Sequence, residues 1–268
     1  EALREGFPHS ESGTMRAFVD GWKLKFTKLL IVVGDVALVR PEKKDVAASW
    51  KGPLLVDMMA EAVQGGGTQG TLEFAEIKDV PALRLNVGFS VLPATAGIEK
   101  KYATEADASE MIAKGWSFLF EGTANKEGAG ELKFRLGLPL HLRYSECSNG
   151  KDSTLGLAVE SNKKTGALIY VHPIHLFWDS LGEGKSKLRF DAFAAVAGDD
   201  KLVVSDELAT QDLTKLKGLN GERLKETDGA LVYYDDNGLL PPDQLNLLAF
   251  FQFAVRDSIH FNGLGLCK

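Results

Sequence analysis

The chain lacks several features that define common protein classes. No apolar run approaches the roughly 20 residues that cross a bilayer as a helix, and the run over 29–39 is interrupted by Gly34 and Asp35. Lysine and arginine number 31 against 37 acidic residues, which gives a net charge of −6. Nucleic-acid partners require concentrated cations. The sequence therefore predicts neither a membrane span nor nucleic-acid binding.

Motifs for catalysis are also scarce. The sequence has no Gly-x-Ser-x-Gly nucleophile elbow and no recognisable pair of a general acid and a general base. Residues 182–186 imitate the end of a phosphate-binding loop, but its opening glycine would fall on Asp179. Residues 199–208 imitate part of a calcium-binding loop, but its first and third ligand positions fall on Val196 and Gly198. We therefore expect a protein that is not an enzyme and interpret both segments as loops.

Only two cysteines are present, Cys147 and Cys267. An exported protein would join such a pair as a disulfide, whereas a cytoplasmic protein would keep two buried thiols. Cys267 lies in a glycine-rich tail that little else would anchor, and this favours the disulfide. The sequence begins at Glu1, without Met, and continues with a polar segment. Such a start is typical of a mature N-terminus from which a leader has been removed.

Most of the first half alternates between apolar and polar residues, with turn signals between the runs, which predicts strands. The predicted strands are 15–26, 29–39, 71–77, 83–92, 116–121, 131–136, 138–144 and 167–171. Helical spacing predicts helices over 53–63, 104–114, 188–197, 205–216 and from Pro241 to His260, with Thr104 and Ser205 as caps. The expected fold is mainly β, an antiparallel β-sandwich with short helices and with helical insertions near the C-terminus. We expect one β-rich unit over 1–268 or two subdomains, 1–130 and 131–268, without internal repeats.

Three of the five histidines are concentrated in two segments. His172 and His175 lie within 170–179, and His260 opens the C-terminal segment 260–268. Positions i and i+3 of a strand face opposite sides, but Pro173 prevents a regular central strand and favours a turn that brings the two imidazoles together. Imidazole binds copper and zinc, and His260 could supply a third nitrogen. The alternative is a pair of ordinary histidines at a strand end, hydrogen-bonded to the backbone.

Trp178 and Asp179 follow His175 in the same segment. Asp179 is a candidate ligand, or a partner that fixes the tautomer of a histidine ligand. Trp178 is either a core aromatic residue, like Phe177, or an oxidisable ring close to a redox metal.

These segments resemble the methanobactin-partner (MbnP-like) family, one half of a "metallo-mystery pair", which is related to copper-repressible surface proteins of methanotrophs. The resemblance covers about residues 130–268, and the first 130 residues match only loosely. The matching pieces are Tyr144 with Cys147, then 172–181, 188–191 through 207–208, and 260–267. The chain departs from the family in having two cysteines instead of a four-cysteine motif, a degraded acidic run at 199–208, and Pro173 between two candidate ligands.

The resemblance implies an exported protein, periplasmic or at the cell surface, with an N-terminal lipid anchor as a further expectation. It implies a copper site, with zinc as the alternative metal, formed by His172, His175 and His260, and no organic cofactor. It also implies a di-haem partner of the MauG and cytochrome c peroxidase type that oxidises a tryptophan, for which Trp178 is the first candidate and Trp22, Trp50 and Trp116 are the alternatives. The alternative function is a surface β-sandwich that binds a protein or a glycan partner without a metal. Because imidazole must be neutral to bind a metal, copper uptake should weaken as the pH falls.

Overall fold

The structure, a computed structural model, is mainly β. It describes residues 5–11, 14–60, 76–182 and 186–268, with the backbone alone over 9–11 and 14–16. Strands account for 35% and helices for 18%, which confirms the predicted mainly β class with short helices.

The described chain has the following strands: β1 (His9–Glu11), β2 (Thr14–Arg16), β3 (Lys23–Val39), β4 (Val46–Trp50), β5 (Leu54–Asp57), β6 (Arg84–Val91), β7 (Glu99–Lys101), β8 (Phe118–Lys126), β9 (Gly130–Leu138), β10 (Leu142–Tyr144), β11 (Leu157–Ala158), β12 (Ile169–Val171), β13 (Leu202–Val204) and β14 (Ile259–Phe261). The α-helices are α1 (Glu105–Lys114), α2 (Asp191–Ala194) and α3 (Leu247–Asp257). Short 3-10 helices span Pro173–Phe177, Ser205–Thr210, Leu213–Lys215 and Pro242–Gln244.

The chain divides into two compact units, each assembled from separate segments. Unit 1 comprises Glu1–Leu29, Leu119–Leu138 and Pro173–Ser258. Unit 2 comprises Leu30–Phe118, Pro139–His172 and Ile259–Lys268. Each unit draws residues from both sides of the predicted boundary at 130/131, and β3 belongs to both.

Unit 2 is organised around the second half of β3. This part of β3 pairs antiparallel with β4, β5 and β6, and β6 pairs antiparallel with β10. β5 pairs in parallel with β7, so the pairing is mixed and not purely antiparallel. Residues 29–34 of β3 are all buried, whereas 23–27 alternate between buried and exposed. Both faces of the strand are therefore covered over 29–34, and only one face is covered at its start.

In unit 1, β3 is followed across the sheet by β8, β9 and β13, and β13 runs parallel to β9. Gly122 of β8 allows the close approach of its neighbours. A Cβ there would lie 2.2 Å from the carbonyl oxygen of Lys25 and 2.4 Å from the ring of Phe134. Any larger residue would have to displace a strand.

The core of unit 1 is a cluster of phenylalanines around Phe177. This ring is fully buried and lies 5.4–6.4 Å, centroid to centroid, from six others. Its neighbours are Phe7, Phe18, Phe26, Phe134, Phe190 and Phe193. Burial of a phenylalanine side chain contributes about 1.5–3 kcal/mol. Phe177 therefore anchors the 3-10 helix that carries His175.

The helix predicted over 53–63 is wrong. Residues 54–57 form strand β5, which is paired on both edges, with β3 and with β7. Leu54, Leu55 and Val56 are all buried. A strand covered on both faces loses its alternation, and a short continuous apolar run cannot be told from a buried helix by periodicity. Residues 61–63, and 71–75 of the predicted strand 71–77, lie outside the described residues.

The other predicted helices have mixed outcomes. Helix α1 is confirmed, and Thr104 and Asp107 cap it by exchanging side-chain and backbone hydrogen bonds. The C-terminal helix begins later than predicted, with Asn246 as its cap. The hydroxyl of Ser205 donates to the Gly137 carbonyl at 2.7 Å and does not cap a helix. No helix in the described part of the chain is both long enough and apolar enough to cross a membrane.

An eight-residue repeat occupies residues 216–239, so the expectation of no repeats was wrong. Leu216, Leu224 and Val232 recur at this spacing, are buried, and are joined by successive backbone hydrogen bonds of 3.0 Å. After each of these residues the chain turns at a glycine with positive φ; Gly221 and Gly229 are eight residues apart, and Gly238 follows nine residues later. The repeats share only one apolar position and one Asx-Gly turn, which is too little to be recognised as a period in the sequence.

Candidate functional site

The pairing of β12 with β14 brings His172 and His260 together in unit 2. Tyr170 lies opposite His260 in the ladder, and His172 follows immediately after β12 ends at Val171. The two imidazole centroids are 4.7 Å apart, edge to face, with an interplanar angle of 75°. His260 is 6% exposed and His172 is half-buried. His260 is therefore enclosed by protein, and His172 is partly open to solvent.

The C-terminal segment that carries His260 is held by a disulfide and by backbone hydrogen bonds. Cys147 and Cys267 are joined at 2.04 Å, which confirms the predicted disulfide. Four hydrogen bonds join 145–150 to 262–268, from Ser145 to Lys268 at 2.9 Å, from Lys268 to Ser145 at 2.8 Å, from Ser148 to Leu266 at 2.8 Å and from Gly150 to Asn262 at 3.2 Å. Together they fix the backbone that follows β14.

His175 belongs to unit 1, where its 3-10 helix begins at Pro173. Its Nδ1 lies 3.0 Å from the backbone carbonyl oxygen of Asp257, the last residue of α3. A carbonyl oxygen can only accept, so Nδ1 carries a hydrogen, and in the neutral imidazole the lone pair is on Nε2. Histidine ligands of metals are oriented in this way, by donating the other ring N–H to a carbonyl or carboxylate.

Trp178 stacks on His175. The ring centroids are 3.9 Å apart and the planes differ by 22°. In a 3-10 helix, side chains at i and i+3 eclipse each other, which explains why these two rings meet. Phe177, the intervening residue, points into the core, whereas Trp178 is half-buried.

Asp179 is engaged away from the histidines. Its carboxylate accepts from Arg189 Nε at 2.7 Å and from the backbone N–H of Lys187 at 2.8 Å. The carboxylate beside a candidate ligand is instead Asp257, whose Oδ2 lies 3.7 Å from His175 Nδ1. The sequence carried no signal for Asp257, because the predicted helix ran past it to His260, whereas the helix ends at Asp257.

Arg189 links two acids beneath this segment. Its side chain, 7% exposed, pairs with Asp179 and with Glu226. Burial opposes the charge of the guanidinium, but the two carboxylates outweigh it and raise the pKa of Arg189. The hydrogen bond from Lys187 lowers the pKa of Glu226. This ion-pair group fixes the chain that follows Trp178.

A second buried polar group lies at the start of α2. Asp20 accepts backbone N–H groups of Phe190 and Asp191 at 2.7 and 2.8 Å, and burial raises the pKa of its carboxyl group. Asp191 accepts from Trp22 Nε1 and from Lys126 Nζ, both at 2.7 Å. Trp22 therefore has a structural role, because its indole N–H is bound to Asp191.

The donor set fits a metal in part. Two imidazoles in contact are the kind of ligands that copper and zinc accept. Within the described ranges, no group of three or more His, Cys, Asp or Glu side chains is placed to hold a metal ion. The structure thus brings together His172 and His260, while His175 belongs to the other unit and remains a predicted third ligand.

No protein-family model matches the chain, and no match was found among curated proteins or among solved structures.

Proposed function

We propose that the protein is an exported copper-binding protein, periplasmic or at the cell surface, with His172 and His260 as ligands. The single observation that carries the proposal is the contact of these two imidazoles at 4.7 Å. The family resemblance adds His175 as a third candidate ligand, and the contact of its Nδ1 with the carbonyl of Asp257 leaves Nε2 as the nitrogen for a metal.

The proposed chemistry is capture and delivery of copper by neutral imidazoles. Copper bound in this way would supply a redox-active ion, and zinc is the alternative metal because it accepts the same ligands. The pairing of β12 with β14 and the disulfide between Cys147 and Cys267 position the ligands. These elements fix His260 before any metal arrives, which reduces the cost of ordering on binding.

In the same proposal a di-haem enzyme of the MauG type oxidises Trp178. Support comes from the stacking of this ring on His175 at 3.9 Å and from its partial exposure. Trp22 is a poorer candidate, because it is 1% exposed and its indole N–H is bound to Asp191. Mass spectrometry of peptides from native protein would locate the modification at Trp178 or at one of the three other tryptophans.

The ligand assignment is tested by copper titration of the purified protein. We expect about one copper ion per chain, as the imidazole set predicts. The His175→Ala/His260→Ala double variant should lose this uptake, and His172→Ala should weaken it. His141→Ala, which removes an exposed histidine elsewhere, is the matched control. Unchanged uptake in the double variant would refute the assignment.

A further inference from the structure

An open cleft in unit 2 lies on strands β3, β4, β6 and β10. Its volume is about 590 Å³, and a second cavity of about 290 Å³ shares Trp50 and Lys51 with it. Ligand pockets have volumes of roughly 300–1,000 Å³. None of the candidate metal ligands lines either cavity. The cleft is therefore independent of the proposed copper site.

Small residues leave this face of the sheet unfilled. Ala37 pairs with Ser49 on β4 and with Gly88 on β6, so three neighbouring strands present the smallest side chains in one row. Gly88 is required there, because a Cβ would lie 2.9 Å from the carbonyl oxygen of Tyr144. A bulge in β3 between Gly34 and Ala37 bends the strand beside this row.

The lining is cationic although the whole chain carries a net charge of −6. It contains four basic side chains, those of Arg40, Lys44, Lys51 and Arg143, against two acidic ones, those of Asp35 and Glu146. Arg40 is paired with Asp45, and Glu146 is paired with Lys268. Among the described residues, Lys51 and Arg143 take part in no ion pair, and both are exposed. An anionic group is the complementary ligand for these two side chains.

The remaining lining residues suit hydroxyl groups and a flat face. They include Ser49 and Asn86, which carry a hydroxyl and an amide, and Trp50, which carries an indole ring. Ser90 also lines the cleft but is only 5% exposed. A sugar ring offers both hydroxyl edges and a C–H face, and a uronate adds a carboxylate for a charge-assisted hydrogen bond. From this combination we propose that the cleft binds an acidic oligosaccharide. Nucleic acid fits less well, because its affinity depends on many more cations than the cleft provides.

The proposal is tested by calorimetric titration with tetragalacturonate, with maltotetraose as the neutral comparator and hexaglutamate as the acidic peptide comparator. The rim variant is Lys51→Gln/Arg143→Gln, which removes two exposed charges without touching the core. The matched control is Lys163→Gln/Lys164→Gln, which removes the same charge from exposed residues outside the cleft. Thermal melting of all three proteins checks that folding is unchanged.

We expect the wild type and the control to bind tetragalacturonate, and the rim variant to bind it at least about tenfold more weakly. Maltotetraose should bind more weakly than tetragalacturonate to the wild type. No binding by the wild type, or equal loss in the rim variant and the control, would overturn the proposal. Tighter binding of hexaglutamate than of tetragalacturonate would assign the cleft to an acidic peptide and would also overturn it.

Discussion

The disulfide between Cys147 and Cys267 should contribute a large part of the stability of the protein. It closes a loop of 120 residues, and loop-closure entropy predicts a stabilisation of about 5 kcal/mol for that length. Whole domains are stable by roughly 5–15 kcal/mol. The Cys147→Ala/Cys267→Ala variant should therefore lose at least a third of a typical stability.

Guanidinium unfolding, followed by circular dichroism and extrapolated linearly to water, measures this loss. A reductant should shift the midpoint of the wild type towards that of the variant and leave the variant unchanged, which separates the disulfide from other effects of the reagent. A difference of less than about 1 kcal/mol in the free energy of unfolding would refute the loop-closure argument. It would mean that the hydrogen bonds between 145–150 and 262–268 already confine the segment without the disulfide.

Two further predictions concern buried charges in unit 1. Arg189→Met should destabilise the protein by about 3 kcal/mol, because it leaves the carboxylate of Asp179, 13% exposed, without its partner. Lys187→Met, which removes a half-exposed lysine, is the control. Chemical denaturation measures both variants, and equal losses of stability would contradict the prediction. Burial raises the pKa of Asp20, so the folded state binds a proton on this carboxyl group more tightly than the unfolded state does. The stability that this proton contributes is lost as the pH rises through the folded pKa. Asp20→Asn keeps an oxygen for the two backbone donors but cannot titrate. The free energy of unfolding of this variant, relative to that of the wild type, should therefore increase from acidic to neutral pH. A flat or opposite trend would exclude this account.

The periodicity of apolar residues predicted those elements that have one solvent-exposed face and one buried face. Strand β6 and helix α1 were found close to their predicted bounds, because alternation and capping are local properties of the sequence. Strand β5 was mistaken for a helix because both of its faces and both of its edges are covered. The eight-residue repeat is defined by backbone hydrogen bonds between coils, which leave little trace in residue identity.

The candidate site was predictable in composition but not in geometry. The sequence indicated His172, His260 and the disulfide, because histidines and cysteines are few in this chain and these lie in two short segments. The contact of Asp257 with His175 was not predictable, because a backbone carbonyl carries no side-chain signature. The engagement of Asp179 by Arg189 likewise depends on tertiary pairing across ten residues.

The interleaving of the two units sets the order in which their segments become available along the chain. All segments of unit 1 precede residue 259, whereas unit 2 requires 259–268 for strand β14 and for the partner of Cys147. As the chain emerges from its N-terminal side during synthesis or export, all described segments of unit 1 are present while unit 2 still lacks one strand and one half of its disulfide. His172 would emerge long before His260, so the imidazole pair could form only after nearly all of the described chain had been synthesised. Within the described chain, the pair of candidate ligands at β12 and β14 therefore depends on a segment that follows every segment of unit 1.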